Sequence, residues 1–322
     1  MCICSDDADT GITAQTSSAT DTSIQWNAAS AGDVPPSQPL FTGNPGVQVD
    51  ISDSAQPIEY FQLFFDDDLF RHIVMQTNLY AEQYLTMNAA ILKPFSRVRC
   101  WSPADMKEVK QFVGLCLLIG IVKKPSVASY WSRDIVLQTP IFRSVMKRNR
   151  FQLLQKFFHL NDNSTAGSSN DRLFKIRPVI DHLFEKFQAT YCVHQNVAID
   201  ESLLLWKGRL LFKQYLPLKR SRFGIKIYKL CKSSSGYTYR FYVYVGKDVS
   251  FEIPVGDNIP VMPSTFGATE KIVWFLILPL LNQGSLKVQG SAWMSTNRLF
   301  VDNFYTSVPL FAELFKRKTP AC

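Results

Sequence analysis

The first 56 residues contain no lysine, arginine or glutamate, while seven aspartates fall among them. Cysteine is also sparse. The seven in the chain lie at 2, 4, 100, 116, 192, 231 and 322, an odd number without paired zinc-knuckle spacing or the density of a secreted disulfide scaffold. A reducing intracellular compartment is expected. Long apolar runs are missing too: Phe112–Val122 and Ile272–Leu281 reach about half of the roughly 20 residues a spanning helix needs. No basic leader followed by an apolar core opens the chain, so neither a membrane partner nor a secretory signal is expected. The four histidines, at 72, 159, 182 and 194, form no helix-spaced pair, and Cys192 with His194 lacks two further ligands, so no zinc site is expected. No G-x-S-x-G motif supports hydrolase chemistry.

What is present is positive charge in the body of the chain. The whole carries +8, so residues 57–322 carry +15 once the −7 of the first 56 is set apart. Such a surface suits a polyanion, of which nucleic acid is the commonest inside cells, although a solvated basic surface has the same composition.

Residues 1–40, rich in Ser, Thr, Ala, Asp and Gln, are expected to form a disordered acidic tail. Apolar periodicity predicts helices over 57–85, 102–123, 139–160 and 172–191, the second starting at Ser102 with Pro103 at its first position. After Cys192 the period changes to two. Strands are expected at "VAID" (197–200), "IKIYKLC" (225–231) and "YTYRFYVYV" (237–245), the last two joined by the turn "SSSG". A buried helix over 269–284, a strand "RLFVDNF" (298–304) and a final helix over 308–318 complete the pattern. The fold class is therefore α+β: a tail over 1–40, a helical domain over 41–192, and a mixed α/β domain over 193–322.

Asp200 ends the first of these strands and Asp302 the fourth. If those strands are neighbours, the two carboxylates converge at one sheet edge and suit a hard ion such as Mg²⁺; taken singly, each is equally a turn former. Glu201 points to the opposite face, since side chains alternate along a strand. Directly afterwards, Lys207–Lys232 holds nine Lys/Arg and no acid. Lys219, Arg220 and Arg222 cluster in a Pro-initiated turn. Together with Lys207, Arg209, Lys213 and Lys226 they are candidate DNA-phosphate contacts, against the alternative of a solvated strand face. Tyr215 and Phe223 flank the turn, either as base-stacking platforms or as core aromatics. The clusters Met146–Arg150 and Phe315–Lys318 read as nuclear import signals or as helix-end charge.

The segments "FTGNPGV", "YFQLFFDDDLF", "RNRFQLLQKFFHL", "VAIDESLLLWKGR", "QYLPLKRSRFGIK" and "LFVDNFYTSVPLFAELFK" resemble the piggyBac family of transposases and the cellular proteins derived from them. The resemblance runs from about Phe41 to the C-terminus. It implies a ribonuclease H-like catalytic domain and an aspartate triad holding Mg²⁺ or Mn²⁺ for cut-and-paste DNA transposition. It further implies a hairpin-joined excision product and a TTAA target. Asp200 matches the first family aspartate and Asp302 the second, as catalytic and metal-binding residues.

DNA is then the partner and the nucleus the compartment. No small-molecule substrate is implied, and a homodimer is left open. The sequence departs from the family in two places. The third family aspartate lies well beyond the "DNFYTS" block, whereas this chain stops 20 residues after Asp302, before both that ligand and a cysteine-rich zinc tail. Ser285–Arg298 stands where the family has a short connection. Glu313 reads as the exposed face of the last helix rather than as a replacement ligand. The expected function is a transposase-derived DNA-binding protein, its ribonuclease H-like domain incomplete and its full activity absent. The alternatives are a fragment of an active transposase and a decayed protein-interaction domain.

Overall fold

The computed structural model describes residues 41, 43–168, 171–217, 222–246, 260–282, 297–317, 319 and 321. The expected tail over 1–40, Lys219 and Arg220 of the basic turn, and residues 285–296 of the longer connection lie outside them. From Pro39 onward the chain forms one compact unit.

The expected helices form, but two of the four are interrupted, the first by a side-chain cap. The first divides into α1 (Pro57–Gln62) and α2 (Asp67–Met87), because the Asp66 side chain accepts the Leu69 amide at 3.0 Å and so starts a new helix. Helix α3 (Met106–Ile121) begins three residues later than expected. Its cap is Asp105, which accepts the Glu108 amide at 2.8 Å, and not Ser102. The third divides into α4 (Pro140–Val145) and α5 (Arg148–Phe157). Phe70, Ile73, Val109, Phe112, Phe142, Phe151 and Leu154 pack together as the core of this region. Arg150 joins α5 to α3 through a two-pronged bond to Glu108 (2.9 and 2.6 Å) and lies over the Trp101 ring. One cation of the Met146–Arg150 cluster is thus part of the scaffold.

The second core surrounds a sheet. Strands β1 (Gly46–Val47) and β2 (Tyr191–Cys192) pair as a small separate ribbon. The central strand β3 (Asn196–Leu205) runs antiparallel to β5 (Phe223–Lys232), whose other edge takes β4 (Gln214–Tyr215) and β6 (Thr238–Val243). The β5–β6 turn uses Gly236 at φ +72°, a conformation glycine adopts without strain. On the far side of β3 lies β7 (Arg298–Val301), parallel to it, and Leu299 of β7 makes a parallel bridge to Ala321.

Alternation along the strands decides what covers each face. Val197, Ile199, Tyr228 and Leu230 pack under α7 (Ala268–Asn282) and α8 (Val308–Lys316), around the fully buried Trp274 and Ile277. Ile225, Ile227, Phe241 and Val243 face the opposite way, against Ile180 and Phe184 of α6 (Arg177–Thr190). Helix α6, continuous with the helical region in sequence, therefore packs on the sheet. It is tied to that region as well: Lys186 of α6 pairs with Asp66 at 2.6 Å, Phe187 meets Phe64 edge-on at 5.4 Å, and Val179 packs against the helical core.

Candidate nucleic-acid and metal site

The parallel register pairs Asn196 with Arg298 and Ile199 with Val301. One further step sets Asp200 beside Asp302. Local pattern predicts that Asp200 ends its strand. Instead β3 continues for five residues, because Ser202–Leu205 go on pairing with Ile227–Gly224 of β5 after β7 has stopped. The two aspartates thus stand at the step where the sheet narrows by one strand. Both are exposed. Asp302 caps the short 3₁₀ helix Asn303–Tyr305, with Oδ1 accepting the Asn303 amide at 2.6 Å, and the Asp200 Oδ1 accepts the amide of Glu201 at 2.7 Å.

Each carboxylate keeps its Oδ2 without a hydrogen bond among the described residues. Two exposed carboxylates, one register step beyond the last β3–β7 pair, suit a hard divalent cation. No third His, Cys, Asp or Glu joins them among the described residues. Glu201 lies on the opposite face, where it accepts a hydrogen bond from the Tyr305 hydroxyl at 3.1 Å. Burial, and next the Glu201 charge, push the Tyr305 phenol well above its ordinary pKa. Glu313 is half-buried rather than on an exposed face, held by Arg317 at 2.9 Å, and Arg317 lies over Trp274.

Beyond Asp200 the described part of the basic run before β5, residues 207–217, forms an arm at the end of the sheet, anchored by the buried Phe212. Lys207, Arg209 and Arg222 are exposed. Lys213 reaches the Gly208 carbonyl at 3.4 Å and lies over the Phe223 ring. Tyr215 and Phe223 pack at a tilt with ring centroids 4.7 Å apart, and each is about half exposed, so neither is a core residue. Leu204, Leu205, Trp206 and Leu211 are exposed as well. These apolar residues were not among the candidate site residues. The available signal was a continuous apolar run, Leu203–Trp206, entering a segment too basic to be core. The base of the arm is tight: a Cβ on Gly224 would overlap the Leu204 carbonyl. Lys226 stands apart from the arm, its ammonium over Tyr228 and Phe304.

Comparison with known proteins bears on this geometry. The sequence profile of the Transposase IS4 family matches residues 56–322. The human PiggyBac transposable element-derived protein 5 is 26% identical over 224 residues, covering 68% of this chain and 40% of that protein. The human PiggyBac transposable element-derived proteins 3 and 2 are each 28% identical, over 193 and 187 residues, covering 60% and 58% of this chain and 30% and 29% of theirs. The chain therefore spans less than half the length of these relatives. Among solved structures, a piggyBac transposase synaptic complex with hairpin DNA superposes with a TM-score of 0.63 at 24% identity, over 84% of this chain and 50% of that one. The mixed sheet and its covering helices are accordingly a ribonuclease H-like fold.

Proposed function

We propose, from the premise that this chain belongs to the piggyBac-type Transposase IS4 family, that it is a transposase-derived DNA-binding protein. Its arm grips the phosphate backbone, and Asp200 and Asp302 hold the two-carboxylate part of a metal site. The observation that carries this proposal is the adjacency of the carboxylate pair to the arm: β3 delivers Asp200 and, seven residues later, Lys207 on one continuous strand and loop. Arg209 and Arg222 neutralise phosphates, while Trp206, Tyr215 and Phe223 offer apolar surface to unpaired bases. Asp200 and Asp302 would hold Mg²⁺ or Mn²⁺, which when bound stabilises charge on a phosphodiester. With two carboxylates converging among the described residues, the chain is expected to bind DNA without completing strand transfer by itself.

We place the helical region 41–192 and the sheet region 193–322 as its two functional parts and the nucleus as its compartment, a location that a fluorescent fusion would check. A homodimer is the proposed assembly. Helix α3 supports it by leaving Leu117 and Ile121 at 58% and 79% exposure, with open space around Gly114 and Gly120. No helix among the described residues is long and apolar enough to cross a membrane.

The test is fluorescence anisotropy with duplex DNA across a salt series. Changing Lys207, Arg209 and Arg222 together to Ala should weaken binding at least about tenfold, or ~1.4 kcal/mol. The slope of log K against log salt should fall by roughly one unit for each phosphate no longer neutralised. Unchanged affinity and slope in a folded triple variant would reduce the arm to a solvated face.

A further inference from the structure

Beside the Asp302 turn, on the face of the sheet that carries α7, lies an open cavity of about 540 Å³. Its walls are aromatic. Tyr228, Tyr242 and Tyr244 line one side, and Phe304, 57% exposed, lines another. These rings pack edge-on or offset: Tyr228 lies 6.3 Å from both Tyr242 and Tyr244. Two cations border the same space. Lys226 stands 4.7 Å above the Tyr228 ring and 5.2 Å from that of Phe304, and Lys271 enters from the first turns of α7. The start of α7 also contributes. Ala268 and Thr269 line the cavity, and their amides donate to no acceptor among the described residues, as expected at a helix start. The acid of that turn, Glu270, is engaged elsewhere, accepting from the Gly267 amide and the Ser307 hydroxyl.

We infer that this cavity takes one unstacked nucleotide of a DNA strand, its base against Phe304 and Tyr244 and its phosphate between Lys226 and Lys271. The volume suits a ligand of that size. Aromatic faces accept any base, because every base has a π face, while ammonium groups at the rim match a phosphate. An aliphatic ligand would gain nothing from the lysines, and a paired duplex cannot put a base into the cavity. Position points the same way. Phe304 follows Asp302 by two residues, so about 7 Å of backbone at most joins the cavity wall to one of the two carboxylate residues. The carboxylates lie on the other face of the sheet, so a strand held by them reaches the cavity by rounding the end where β7 stops. This inference rests on the DNA-binding function proposed above and adds to it a preference for unpaired DNA and the residues that create it.

The experiment compares a short duplex with the same duplex carrying one unpaired thymidine, using anisotropy on the full chain. Wild-type protein should bind the second at least about fivefold more tightly, the lower end of what one base–aromatic stack contributes. Phe304→Ala should abolish that preference without changing the affinity for the paired duplex, and Phe304→Trp should retain it. Photo-crosslinking with 5-iodouracil at the unpaired position should attach to the segment holding Tyr242 and Tyr244, or to that holding Phe304. Equal affinity for the two DNAs, or attachment only within the 204–223 arm, would overturn the inference and leave DNA binding standing. Failure to bind either DNA would overturn both.

Discussion

The Tyr305–Glu201 hydrogen bond ties the turn after β7 to the middle of β3, and its loss should be measurable as stability. Tyr305 is 1% exposed, and its hydroxyl donates to Glu201 Oε2 at 3.1 Å. Tyr305→Phe keeps the ring packing against Tyr228 and Phe304 and removes only the donor. A bond to a charged acceptor is worth about 1.5–3 kcal/mol, but Glu201 is only half-buried and water replaces part of that bond. A cost of about 1–2 kcal/mol is therefore expected. It should appear as a lower urea midpoint with unchanged slope. Glu201→Gln keeps an acceptor and removes the charge, so Tyr305→Phe should cost less in that background. The double-mutant cycle should return a coupling of about 1 kcal/mol. A coupling below about 0.3 kcal/mol, within the scatter of independent sites, would refute the idea that this bond couples the two strands.

Three further expectations rest on particular residues. Burial raises the Asp66 carboxyl, but the Lys186 bond, the Leu69 amide and the neighbouring His182 more than offset it, so its pKa falls below the ordinary 3.8. Asp66→Ala should cost about 1–3 kcal/mol through removal of the cap and the ion pair. In wild type this contribution is present above about pH 4 and is lost as pH falls through the folded value, which acid titration of unfolding midpoints would follow. At the alkaline end, burial pushes Tyr228, Tyr237 and Tyr242 up to about 12. The unfolded chain loses these protons near pH 10 while the native state keeps them. Stability should thus fall between about pH 10 and 12 by on the order of 1 kcal/mol per pH unit for each group, read by denaturant melts. Finally, Mn²⁺ should broaden NMR signals near Asp200 and Asp302, and Asp200→Asn should remove that broadening while Glu201→Gln leaves it. Equal broadening in all three proteins would place the ion elsewhere.

Sequence alone determined the element types and the chemical inventory. Period-two alternation in "IKIYKLC" and the apolar run "IVWFLILPLL" each permit little but a sheet strand and its covering helix, and β5 and α7 occupy those stretches. Family motifs placed Asp200 and Asp302 as a pair before any geometry was available. Where helices break was harder to read. Asp66 and Asp105 act as caps only because their own backbone is extended, and nearby Ser102 offered the same local chemistry. What the tertiary structure decided was adjacency. The parallel pairing of β3 with β7 brings residues about a hundred positions apart into register, and no local propensity encodes that pairing. It also decided the length of β3, since Ser202–Leu205 are strand only because β5 supplies their hydrogen-bond partners. The aromatic cavity is a product of assembly alone. Tyr228, Tyr244, Lys271 and Phe304 come from four segments, and each would read in isolation as ordinary core or surface. Their common space exists because the sheet, α7 and the Asp302 turn meet without filling it.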